Sequence, residues 1–149
     1  MVALTGCTTP APVPAPTATF TASPTAGGSA APTAAPTVAP TLNPEGTASD
    51  NLRLFRAVTV EVWSSSDKGR GRAYVNALVK AGFDKSRMQV TNDKSTVGGA
   101  AESLQFSVLW GDECLIGQVG PATGTPVTVV MPALAGGTCL VGETKPINR

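Results

Sequence analysis

The first charged residue of this chain is Glu45, and all 21 charged residues among the 149 lie from there onward. Nine of the 13 prolines, by contrast, fall at or before Pro44. Residues 8–49 are therefore a low-complexity Ala/Pro/Thr stretch, interrupted by Gly27-Gly28-Ser29 and carrying a single aromatic, Phe20. A segment with so few large apolar side chains cannot bury enough surface to offset the entropy of ordering it. It is expected to be a disordered linker or stalk, extended by its prolines. At about 3.1 Å per residue, a stiff stretch of this length would reach on the order of 100 Å. Its threonines are candidate O-glycosylation sites, and the chain has no Asn-x-Ser/Thr sequon. Folding is left to residues 50–149, which hold all the aromatics but Phe20 and have room for one small core. That domain is expected to fold without the residues before it.

Ahead of the linker, Leu4-Thr5-Gly6-Cys7 has the form of a bacterial lipobox, so residues 1–7 read as the remnant of a lipoprotein signal with Cys7 as the lipidation site. The alternative is a stray cysteine in an ordinary tail. An export signal needs a basic n-region and an apolar h-region of roughly 7–15 residues, and only Met1 to Gly6 precede the cysteine. The natural precursor is expected to be extracytoplasmic and anchored to the cell membrane by a lipid on Cys7, whereas the polypeptide as written should stay soluble. No apolar run approaches the roughly 20 residues of a membrane-spanning helix. With Cys7 assigned to the lipid, Cys114 and Cys139 remain as an even pair. In an exported protein such a pair is usually a disulfide, and a loop of about 25 residues would contribute roughly 3–3.5 kcal/mol. Two buried free thiols are the other reading.

In the folded part, Ser49-Asp50-Asn51 offers a helix N-cap before Leu52, and Leu52, Phe55, Thr59, Val62 and Trp63 recur at helical spacing. Val58, Val60 and Val62 alternate as a strand would, but the cap and the Leu52/Phe55 spacing favour a helix over about 51–64. A second helix, about 70–81, carries Ala73, Tyr74, Ala77, Leu78 and Ala81 on one face, with Gly82 placed to end it. The period then becomes two. Met88–Thr91 reads as a strand ending at the turn cluster Asn92-Asp93-Lys94-Ser95, and Ser103–Trp110 as a second strand. Gly111-Asp112 suits a two-residue hairpin loop that returns through Glu113–Val119. This register sets Leu109 opposite Cys114 and puts Leu104, Phe106, Val108, Leu115 and Val119 on one face, under the helices. Cys114 and Ile116 face the other side. Pro126–Val130 is another strand candidate, and Cys139-Leu140-Val141-Gly142 echoes Cys114-Leu115-Ile116-Gly117 as a further short strand. Two helices followed by a small, mostly antiparallel sheet make the domain α+β.

Ala81-Gly82-Phe83-Asp84-Lys85, Met88-Gln89-Val90-Thr91, Phe106-Ser107-Val108 and the paired Cys114-Leu115-Ile116-Gly117-Gln118 and Cys139-Leu140-Val141-Gly142, with Thr144-Lys145-Pro146-Ile147, resemble a family of uncharacterised actinobacterial envelope proteins. The resemblance covers about 51–148. It implies a lipoprotein or secreted protein with a C-terminal domain of unknown function, and it supplies no catalytic or ligand residues.

The chain has no histidine, which removes Ser-His-Asp and Cys-His catalysis and the commonest zinc ligand. No metal or other cofactor is expected. Eleven basic against ten acidic residues leave no field that would draw nucleic acid. Lys68, Arg70 and Arg72 are the one local concentration of positive charge. They read either as contacts for an envelope protein, anionic headgroup or wall polymer, or as a solvated loop running into a basic first helical turn. Basic residues there oppose the helix macrodipole. Trp63 and Trp110 could line a groove, though core filling is the plainer role. Asp112-Glu113 is the adjacent carboxylate pair, at a hairpin tip where solvated residues are expected, and Gly98-Gly99 reads as a bend. The expected function is a binding or interaction module on a membrane anchor. The rivals are a carboxylate-dependent envelope hydrolase, which would need two carboxylates converging in one cleft, and a purely structural spacer.

Overall fold

A computed structural model describes residues 38–147. Cys7 and most of the expected linker lie outside the described residues. The first helix, α1, runs Ala48–Trp63, and the second, α2, Gly71–Lys80. A short 3-10 turn at Lys85–Arg87 leads into four strands: β1 Met88–Val90, β2 Leu104–Trp110, β3 Glu113–Val119 and β4 Val127–Pro132. They form one antiparallel sheet in the order β1-β2-β3-β4. The α+β expectation of two helices followed by an antiparallel sheet holds.

α1 starts three residues before the expected position because its cap is Thr47. The Asp50 N–H donates to Thr47 Oγ1 at 3.2 Å, and the Thr47 N–H donates to Asp50 Oδ2 at 2.8 Å. This is a capping box with Asp in place of the usual Glu or Gln. The bonds from Thr47 hold the Asp50 carboxyl below the usual aspartate range. Asn51, expected within the cap, is instead fully buried. Its carboxamide accepts from the Asn43 N–H at 2.8 Å and donates to the Asn43 and Thr47 carbonyls at 2.9 and 3.0 Å. With Leu42 packed against the core as well, the ordered domain reaches back past residue 50, and the boundary belongs before Leu42.

α2 ends as Gly82 requires. Its φ of 104° lets the Gly82 N–H reach the Val79 carbonyl and the Phe83 N–H the Leu78 carbonyl, which is the Schellman closure. Both helices lie on the face carrying Leu104, Phe106, Val108, Leu115 and Val119, all of them buried. Phe106 is the centre of this core. Tyr74 stacks on it at 4.5 Å between centroids, and Phe55 lies at 5.7 Å.

The β2–β3 register is the expected one, with Leu109 opposite Cys114 and Trp110 opposite Glu113 around the Gly111-Asp112 turn. Cys114 therefore faces away from the helices, where it is disulfide-bonded to Cys139 with the Cα atoms 5.6 Å apart. The residues around Cys139 form no strand, contrary to the echo in the sequence. The Cys139 and Leu140 N–H groups donate to Gln89 Oε1 at 2.6 and 3.2 Å instead of to a neighbouring backbone. The segment crosses the second face of the sheet as a strap, held by a side chain of β1 and by the disulfide to β3.

Candidate functional site

A cleft of about 590 Å³ opens where the α1–α2 connection faces the far ends of β2 and β3. Its size falls within the 300–1,000 Å³ common for small-ligand sites. One wall is Trp63, the last residue of α1, followed by Ser66, Lys68 and Gly69. The connection is held by its own polar groups. Ser65 Oγ donates to the Val62 carbonyl at 2.7 Å, and the Arg70 N–H to the Asp67 carbonyl at 2.9 Å. From beneath, the Tyr74 hydroxyl donates to the Lys68 carbonyl at 2.8 Å. Burial pushes the Tyr74 phenol up to about 12, so it keeps its proton as that donor across physiological pH. The Lys68 ammonium sits 5.4 Å from the centroid of the Trp63 ring, a cation–π contact.

The floor and far wall are apolar: Leu104, Val119, Ala101 and Pro121. Gly120 allows the close approach that shapes this side. At φ 143° its backbone passes so near Glu102 that an added Cβ would stand 2.4 Å from the Glu102 carbonyl oxygen.

Asp93 is the carboxylate of the cleft lining. Its Oδ1 accepts from the Gly71 N–H, the first residue of α2, at 2.7 Å, and its Oδ2 receives the Lys145 ammonium. The N-cap residue itself, Arg70, makes no side-chain cap bond. The acid that α2 lacks in its own first turn thus comes from 22 residues away, and it offsets the basic residues that oppose the macrodipole there.

Of the three basic residues singled out by sequence, the fold brings only Lys68 to the cleft. The Arg70 guanidinium pairs with Asp67 at 3.3 Å, with both side chains well exposed, and Arg72 is exposed on α2. The tryptophans part company. Trp63 lines the cleft, whereas Trp110 is a strut whose indole N–H donates to the Gly46 carbonyl at 2.8 Å and whose ring meets the edge of Phe83. Gly98 and Gly99 close a small turn in which the Ser95 N–H donates to the Gly99 carbonyl. Asp112 is exposed at the hairpin tip. Sequence reasoning missed Asp93, since a turn cluster of Asn, Asp, Lys and Ser signals only a turn.

A hydrolase of the expected kind needs two carboxylates across one cleft, and this lining offers Asp93, already engaged by an N–H and an ammonium. Glu102 and Glu143 border a shallower depression of about 520 Å³, where both residues are exposed. Among the described residues, no group of three or more Cys, Asp or Glu side chains is placed to hold a metal, and no helix is long and apolar enough to cross a membrane. No curated protein and no solved structure matches the chain. A family model does match residues 59–143, a span that takes in the whole cleft lining and both disulfide cysteines. The chain therefore belongs to the family defined by the domain of unknown function DUF6993.

Proposed function

We propose that this chain is an extracytoplasmic lipoprotein of the actinobacterial envelope, tethered to the cell membrane through a lipid on Cys7. Residues 8–37 serve as spacer, and the disulfide-linked domain is a binding module for an envelope protein or wall polymer. The observation that carries the binding role is the cleft: an apolar floor beneath Trp63, with the Lys68 ammonium at the rim and no competing carboxylate left unengaged. An aromatic wall beside one cation suits a ligand that presents an apolar or sugar face next to a negative group. The disulfide supports the location, because such bonds persist in oxidising compartments outside the cytosol.

Two experiments test the two halves. Labelled fatty acid should enter the full precursor and be absent from Cys7→Ala; equal labelling would refute the anchor. The oxidised domain should co-sediment with purified cell-wall sacculi, and Trp63→Ala or Lys68→Ala should reduce that binding at least several-fold with the fold intact. Binding that neither change touches would refute the cleft as the site.

A further inference from the structure

The two edges of the sheet are treated differently. The β1 edge is covered by the C-terminal strap: Thr91 bridges antiparallel to Thr144, and the Lys145 N–H donates to the Val90 carbonyl at 2.9 Å. The β4 edge has no such cover. Among the described residues, no main-chain hydrogen bond reaches Val127–Met131 from anything but β3. Alternate N–H and C=O groups of β4 therefore point outward without a protein partner. Natural edges are usually protected by charge, by an internal proline or by a bulge. β4 has no charge and no bulge, and its prolines, Pro126 and Pro132, stand only at its ends. Val127, Val129 and Met131 are 46, 39 and 51 % exposed, and the chain carries no charge anywhere from Cys114 to Gly142.

The sequence of this edge points to its occupant. Pro126-Val127-Thr128-Val129-Val130-Met131-Pro132 reads alike in either direction at its two prolines and its centre, and the remaining positions exchange uncharged residues of similar kind, Val127 for Met131 and Thr128 for Val130. Laid antiparallel on itself about Val129, it sets Val127 opposite Met131, Thr128 opposite Val130, Val129 opposite Val129, and Pro126 opposite Pro132. Each pair joins residues of the same face, as a ladder requires. The prolines, which cannot donate to a ladder, stand just outside it at both ends. A two-fold contact brings identical surfaces together, and an uncharged strand is the kind that meets its own copy without repulsion.

We propose that β4 pairs with the β4 of a second copy of this chain, antiparallel about a two-fold axis at Val129, joining the two sheets into one. The assembly closes as a dimer. Its outermost edges are then the two β1 strands, each already covered by its strap.

Sedimentation velocity on the oxidised full chain tests this, from about 10 µM to about 1 mM, the weak end of specific association. The wild type should pass from monomer to twice the chain mass. Val129→Lys and Val129→Glu, which place like charges face to face on the axis, should each lose the dimer, and an equimolar mixture of the two should regain it. Deuterium exchange on the wild type gives a readout free of any variant. The outward amides of Val127–Met131 should slow as concentration rises, while those of β1 should not change. A wild type monomeric throughout would overturn the proposal. So would a dimer that survives Val129→Lys, a mixture of folded variants that stays monomeric, or concentration-dependent protection lying outside β4.

Discussion

Replacing Gly117 by Ala sets two effects of opposite sign against each other. Glycine inside a strand is entropically costly, so alanine would by itself add about 0.5–1 kcal/mol. The structure opposes this. Gly117 lies opposite Phe106 in the β2–β3 ladder, and a Cβ built on it would stand 2.4 Å from both Cε2 and Cζ of that ring. Carbon atoms prefer about 3.5–4.0 Å, so the ring must retreat by about 1 Å. It has nowhere to go, being fully buried with Tyr74 stacked at 4.5 Å and Phe55 at 5.7 Å. Overpacking of this sort costs about 1–3 kcal/mol. Gly117→Ala should therefore destabilise the domain by a net of about 1–2 kcal/mol, despite the better strand former. Urea unfolding of the oxidised protein, followed by the fluorescence of Trp63 and Trp110, measures it. Phe106→Leu supplies the control, because a shorter side chain removes the ring atoms the Cβ would strike. In that background Gly117→Ala should cost less than about 0.5 kcal/mol or stabilise, giving a coupling of at least about 0.5 kcal/mol between the two positions. A neutral or stabilising single variant, or the same cost in both backgrounds, would refute the argument.

The disulfide closes a separation of 25 residues, so replacing both cysteines by serine should lower stability by about 2–4 kcal/mol by denaturant unfolding; a loss under about 1 kcal/mol would show the strap to be held by Gln89 instead. Tyr74 is the chain's one tyrosine, so tyrosinate absorbance follows it alone. With the folded phenol pushed up to about 12 from 10.0, the folded form keeps a proton that the unfolded form has lost between those values. Its contribution is thus complete below pH 10 and disappears as pH climbs toward 12. The folded titration midpoint should lie well above 10, and Tyr74→Phe should lose about 1 kcal/mol at neutral pH with its hydrogen bond to Lys68 yet fall less steeply in alkali. A chain beginning at Asp50 loses the Thr47 cap, the Asn43 partners of Asn51 and the Gly46 acceptor of Trp110. It should melt several degrees below one beginning at residue 38, and equal melting temperatures would return the boundary to residue 50.

What could be read from the sequence was local. The β2–β3 register followed from a period of two and from Gly111, which takes the φ of 64° that its tight turn needs. Both faces of the sheet followed from that register. The ambiguity at Val58, Val60 and Val62 resolves by helical geometry: Val58 and Val62 are four apart and buried, whereas Val60 turns outward. The start of α1 was misplaced because Thr47 and Asp50 make a capping box with an acid one carbon shorter than the usual one. No strand forms at Cys139, because the echo of Cys-Leu-Ile-Gly in Cys-Leu-Val-Gly says nothing of where the backbone N–H groups go, and Gln89 takes them.

The candidate site was the least legible part, and the reason lies in what builds it. Its lining joins a helix end, a connection, a turn and the ends of two strands, so its residues share no period and no spacing. Gly69, Gly120 and Gly124 contribute main chain to it, leaving few side chains for a motif to register. Its one engaged acid serves α2 from across the fold. The basic turn Arg70–Arg72, which opposes the dipole of its own helix, is the trace that this arrangement leaves in the sequence. Basic residues at a helix start cost a few tenths to about 1 kcal/mol, and Asp93, bonded to the Gly71 N–H with Lys145 behind it, offsets part of that cost beside the Arg70–Asp67 pair. The same carboxylate, by holding the first residue of α2, anchors the far end of the connection that carries Lys68 at the cleft. Asp93→Ala should therefore speed amide deuterium exchange in the connection, residues 64–70, before that of the β2–β3 core, and equal acceleration in both would refute this anchoring.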